Sequence, residues 1–110
     1  MSPPPDLPEP IGSDLVRDEP DMRSLVIEFL DGIPKRLERM VEAVRAADFE
    51  ALRTAAHQLK GSGGGYGYPL LTETAEQLER DARNQAIEEC VTSLTELQEL
   101  CKRLVVEASE

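Results

Sequence analysis

From residue 22 to residue 106 the apolar side chains recur at steps of three and four, the spacing that gathers them on one face of an α-helix. In residues 22–47 the rhythm is carried by Leu25, Val26, Phe29, Leu30, Ile33, Leu37, Met40, Val41 and Val44, across Gly32 and Pro34. Asp21 stands where an N-cap belongs, and Pro34 predicts a kink near residues 30–32. One kinked helix is favoured, with two shorter helices broken at the same place left open. Asp48 caps a second helix, with Glu50 and Ala51 in its first turn. Its stripe is Leu52, Ala55, Leu59, Ser62 or Gly63, and Tyr66. Tyr68-Pro69 opens a third helix over 69–83, buried through Leu70 or Leu71, Ala75, Leu78 and Ala82. Asn84-Gln85 is a short connection to a fourth over 86–106, with Ile87, Cys90, Val91, Leu94, Leu97, Cys101, Leu104 and Val105 inward. Short connections between long amphipathic helices predict an all-α, antiparallel up-and-down four-helix bundle.

The N-terminus obeys other rules. Pro3, Pro4, Pro5, Pro8 and Pro10 make residues 1–10 a proline-rich tail or linker, so the domain is expected to span 11–110. Residues 11–16 are expected to form a short helical turn, with Ile11, Leu15 and Val16 covering one end of the bundle. With no tryptophan and two each of Tyr and Phe, the core must be largely aliphatic. The net charge of −10 argues against nucleic-acid binding, which needs clustered cations. Acids outnumber bases on both sides of residues 48–67, where the two balance. Cys90 and Cys101 lie about 16 Å apart along one predicted helix and cannot pair within it, which suits buried thiols in a reducing compartment. No stretch reads as a membrane span or signal peptide, and a cytoplasmic location is expected.

The chemistry concentrates in His57 to Gly67, which holds the only histidine. At about 100° per residue, Leu52, Ala55, Leu59 and Tyr66 fall about 140–220° from His57, while Arg53, Lys60, Gly61 and Gly64 lie within about 60°. The imidazole therefore points outward, opposite the buried stripe, and an exposed imidazole keeps a free lone pair when unprotonated. Lys60, one turn on, can bring an ammonium to an anion attached there. Gly61, Gly63, Gly64 and Gly65 should each cost a helix about 1 kcal/mol relative to alanine. Gly63, on the buried side, fits close packing against a neighbouring helix. Gly61 and Gly64 share the histidine's face, where packing is not expected and the absence of a side chain would let a partner approach.

His57, Leu59, Lys60, Gly61 and Gly67 resemble the His-x-Leu-Lys-Gly-x-x-x-x-x-Gly signature of histidine-containing phosphotransfer (HPt) domains, and the acidic helix carrying Leu78-Glu79 is similar to theirs. The run Gly63 to Gly65 and the proline tract depart from the family pattern. The resemblance implies a four-helix bundle whose exposed histidine takes phosphoryl groups from, and returns them to, the aspartate of a response-regulator receiver domain. The expected partners are receiver domains and a sensor or hybrid histidine kinase.

Other motifs fit poorly. A phosphate-binding loop needs its lysine after the glycines and a strand before them, whereas Lys60 precedes the glycines within a helix. A dinucleotide fingerprint fails, because its sixth position is Tyr68 counted from Gly63 and Tyr66 counted from Gly61. One histidine and two distant cysteines make no metal site. No nucleotide-binding domain fits in the remaining chain, so a phosphocarrier rather than an autokinase is expected, phosphorylated on His57 and without a cofactor of its own; Mg2+ would come with the receiver. Lys60 would stabilise phosphoryl charge, Gly61 and Gly64 would admit the receiver loops, and Gln58, about 100° round the helix, is a candidate for a hydrogen bond to the phosphoryl group or to the partner backbone. An apolar docking patch is expected from Tyr68 with Ile11 or Leu15, and the domain is expected to act as a monomer. The alternative is a non-catalytic helical module that binds or sequesters a receiver.

Overall fold

A computed structural model describes residues 9–108. The proline tract expected as a tail falls largely on residues 1–8, outside the described residues. Five α-helices and one 3₁₀ turn account for most of the described chain, and the only β-type pairing among these residues is an isolated parallel bridge between Ile11 and Leu104.

The first helix, α1 (Asp14–Asp18), is a single turn and a half capped by Ser13, whose Oγ accepts the Val16 amide at 3.2 Å. A 3₁₀ turn, Pro20–Met22, leads into α2 (Arg23–Arg45). Asp21 is not the N-cap expected from sequence: it lies inside the 3₁₀ turn, and Met22 precedes α2 without a side-chain cap. Pro20 explains the shift, because its fixed φ suits the first position of a helical turn and starts the coil early. Helix α2 runs unbroken through Pro34, so the two-helix alternative is not realised. Val26, Phe29, Ile33, Met40 and Ala43 form its buried edge, while Leu25 stays exposed.

Helix α3 (Phe49–Gly65) starts at Asp48, whose Oδ1 accepts the Ala51 amide at 3.1 Å. Leu52, Ala56, Leu59 and Gly63 form its buried stripe, so the stripe is centred on Ala56 and Ala55 is only half-buried. A Cβ on Gly63 would lie 3.1 Å from Leu71 Cγ, which accounts for glycine where α3 crosses α4 (Pro69–Arg83). The α3–α4 turn depends on Gly67, at φ +90°, over which the N-terminal segment passes. Ser13 Oγ donates to the Tyr66 carbonyl at 2.6 Å and the Asp14 amide to that of Gly67 at 2.9 Å, and a Cβ on Gly67 would meet Ser13 Oγ at 2.7 Å.

Helix α4 buries Leu71, Ala75, Leu78 and Ala82, leaving Leu70 exposed. It also buries two acids, Glu79 and Asp81. Asp81 accepts hydrogen bonds from Gln77 Nε2 at 3.1 Å and from Ser93 Oγ on α5 (Ile87–Cys101), tying the two helices together. Helix α5 stops at Cys101 rather than continuing to residue 106. Beyond it the backbone turns toward the N-terminal segment: Ile11 N donates to Arg103 O at 2.8 Å, Val105 N to Ile11 O at 2.9 Å and Ser13 N to Val106 O at 3.1 Å. Those cross-chain bonds replace the helical ones. Ile87 and Val91, expected inward, are exposed, and the core side of α5 is Cys90, Ser93, Leu94, Leu97 and Leu100. Both cysteines are free thiols, Cys90 buried and Cys101 half-buried, with burial pushing the Cys101 thiol up to about 11.

Helix α3 packs most extensively on α4 and α4 on α5, while α2 touches both α3 and α5. One core, aliphatic apart from Phe29 and Tyr68, runs through these four helices, and Val16 and Leu104 close one part of it. None of the helices among the described residues is long and apolar enough to cross a membrane.

Candidate functional site

His57 sits in the middle of α3, directly after buried Ala56 and two residues before buried Leu59, so its ring must leave the helix on the solvent side. Its side chain is 65% exposed. The ring is nevertheless held in place. Nδ1 lies 2.9 Å from Oε2 of Glu79, which projects from α4 and is only 5% exposed. A carboxylate can only accept, so Nδ1 carries the proton and donates it; Nε2 then keeps its lone pair when the ring is neutral. Nε2 has no hydrogen-bond partner among the described residues.

Glu79 gathers more than the histidine. Lys60 Nζ is 2.9 Å from Oε1, and Arg83, one turn further along α4, places a guanidinium nitrogen 3.4 Å from Oε2. The Lys60 hydrogen bond lowers the Glu79 pKa, burial opposes it, and the His57 hydrogen bond lowers it further, so the carboxyl lies below its usual range and is charged at neutral pH. Thr72 steadies the same crossing, its Oγ1 donating to the Lys60 carbonyl at 3.0 Å. The result is a solvent-facing imidazole with a fixed tautomer, backed by one buried negative charge and two cations.

His57 and Lys60 thus meet on one carboxylate. Gln58 does not join them: it is exposed and lines a shallow depression with Arg39, Thr54 and Ala55, on the side of α3 that faces α2. A Cβ on Gly61 would meet nothing within 4 Å, so that side of the histidine is open. Gly64 differs from the expectation that packing would not explain it, because a Cβ there would come within 3.2 Å of Thr72 Oγ1. The crossing with α4 covers more of α3 than the helical angles alone suggest. Tyr68 is not part of any docking patch: it is fully buried, donates its hydroxyl to the Val105 carbonyl at 2.8 Å, and has its pKa pushed up to about 12 by burial. Ile11 and Leu15 are half-buried against the core.

Sequence reasoning noted Glu79 only within the acidic helix of the family resemblance and gave it no role at the site, and it did not single out Arg83. Helical angles do carry a signal for Glu79, which lies about 40° from Ala75 and about 60° from Ala82, at the margin of the buried stripe of α4. An acid at such a margin needs a cationic partner from the facing helix.

A family model for the Hpt domain matches residues 24–107. The chain belongs to the Hpt domain family. Neither curated proteins nor solved structures gave a match. Hpt domains serve phosphotransfer signalling in two-component systems, as phosphocarrier modules rather than kinases, and engage receiver domains and histidine kinases. Among the described residues of this Hpt domain, no group of three or more His, Cys, Asp or Glu side chains could hold a metal ion.

Proposed function

We propose that this Hpt domain is a phosphorelay intermediate in which His57 Nε2 accepts a phosphoryl group from a receiver-domain aspartate or a kinase and passes it to another receiver aspartate. The observation that carries this is the hydrogen bond from His57 Nδ1 to buried Glu79, which leaves Nε2 as the outward-facing nucleophile.

In the forward step the Nε2 lone pair attacks phosphorus in line with the leaving carboxylate oxygen; the N–P bond forms, the O–P bond breaks, and the aspartate departs as a carboxylate. No proton need move, because Nδ1 keeps its own throughout. The ring gains positive charge as the bond forms, and the Glu79 carboxylate 2.9 Å away stabilises it. Lys60 offsets charge on the phosphoryl oxygens, and Gly61 leaves room for the receiver loops. Return transfer runs the same step backwards. Mg2+ belongs to the receiver and supplies charge neutralisation at its phospho-aspartate; the domain brings no cofactor and no ATP site. The same reading takes α2 to α5 as an up-and-down antiparallel bundle, acting as a monomer in the cytoplasm. Support for the bundle comes from the short turns at residues 46–48, 66–68 and 84–86 between helices of fifteen residues or more.

Intact-mass measurement after mixing with receiver domains charged by a small acyl phosphate and Mg2+ tests the relay. An acid-labile gain of one phosphoryl group is expected in the wild type and none in His57→Gln. Receiver binding with no mass gain in a folded wild type would instead identify a sequestering module.

A further inference from the structure

The chain carries 22 acids and 12 bases, so the places where its cations stand without an acid beside them bear on which surfaces it can offer to an acidic partner. Among the described residues, Arg17, Arg23, Arg45 and Lys102 lie in exposed ion pairs, and Lys60 and Arg83 are held by Glu79. Lys35, Arg36, Arg39, Arg53, Arg80 and Arg103 have no such partner, and of these Arg36 and Arg39 of α2 line depressions shared with α3, although Glu28 lines the one beside Arg36, and Asp48 and Glu50 the one beside Arg39. The two arginines stand one turn apart on the flank of α2 that borders α3. Arg39 shares its depression with Thr54 and Gln58, the residue next to His57; Arg36 shares the adjoining one with Ser62 and Tyr66, and its guanidinium carbon is held 5.9 Å from the Phe29 ring centroid. Helix α3 is therefore bordered on its α4 side by cations already engaged by a buried carboxylate, and on its α2 side by two that are not, Arg39 beside Gln58 and Arg36 further round toward Tyr66.

We infer that Arg36 and Arg39 form the docking rim for the acidic lip of the receiver that exchanges phosphate with His57, an inference that rests on the proposed relay. The argument for this occupant is charge complementarity. A protein that binds Mg2+ beside a phosphorylated carboxylate holds the ion with further carboxylates, so the surface it presents to His57 is acidic. A domain of net charge −10 repels such a surface over most of its area. The unpaired arginines give the encounter a local attraction and an orientation, placing the partner over His57 from the α2 side.

The test compares wild type, Arg39→Glu and the double variant Arg36→Glu/Arg39→Glu with two phosphoryl donors. One is a receiver charged by a small acyl phosphate and Mg2+. The other is phosphoramidate, a small donor that phosphorylates histidine directly with loss of ammonia and needs no docking surface. At low salt the second-order rate from the receiver should fall about threefold in Arg39→Glu and at least about tenfold in the double variant, while labelling by phosphoramidate stays at the wild-type rate. Added salt screens the arginines' attraction and should narrow the gap between the wild type and the variants. Arg39 is exposed, so its replacement spares the fold, and far-ultraviolet circular dichroism checks both variants. Normal phosphoramidate labelling with unchanged receiver rates in both variants overturns the rim alone. A folded wild type that neither donor labels overturns the relay, and the rim with it.

Discussion

Glu79 is a carboxylate drawn out of water and then surrounded by three cationic or proton-donating groups from two helices. Its negative charge fixes the imidazole tautomer, and in the proposed relay it would also stabilise the ring as that becomes positive. Glu79→Gln retains an acceptor for Nδ1 but removes the charge. Transfer to His57 should slow by about tenfold, or about 1.4 kcal/mol of transition-state stabilisation, as measured by single-turnover kinetics. The same residue makes stability depend on acid. Its folded pKa is lowered, so the stabilisation is complete above the unfolded value of 4.5 and is lost as pH falls through the still lower folded value. Thermal melts between pH 5 and pH 2 should fall less steeply for Glu79→Gln than for the wild type. His57 and Lys60 were legible from their angles on α3 because a helix face is a local property. The convergence of both on Glu79 was not, because it depends on how α3 and α4 cross, and Glu79 is one of four acids in α4.

The glycines of α3 separate by what faces them. At Gly61 nothing lies within 4 Å of an added Cβ, so alanine there should gain about 1 kcal/mol of helix stability. If the open surface serves partner access, Gly61→Ala will melt higher and yet accept phosphate from a receiver more slowly. At Gly63 the new methyl would press on Leu71, which is fully buried and has little room to yield, so Gly63→Ala should lose the helix-propensity gain and melt no higher than the wild type. Denaturant titration of the two variants separates these cases. At the scale of elements, α3 was readable because Asp48 caps it and its stripe repeats cleanly. The end of α5 was not: Leu104 and Val105 continue the helical rhythm in sequence, and only pairing with residues 11–13, from the other end of the chain, draws that stretch out of the helix.

Across the whole molecule, the helical class followed from periodicity alone, since no segment alternates as a strand would. Composition was a poorer guide to charge. A net −10 says nothing of where the unpaired cations lie, and Arg36 and Arg39 become meaningful only when α2 is laid against α3. The pairing of residues 11–13 with residues 103–106 also brings the two limits of the described chain together, so closely that a Cβ on Gly12 would lie 2.7 Å from the Ala108 amide. Such closeness makes the order of the helices along the polypeptide dispensable. A circular permutant that joins Glu9 to Ala108 through a few glycines and serines, and opens between Asn84 and Gln85 in an exposed turn, should fold to the same helical content and retain His57 labelling by phosphoramidate. A domain that enters and leaves through one doorway can be spliced into the loop of another protein as a cassette, without prising its host apart.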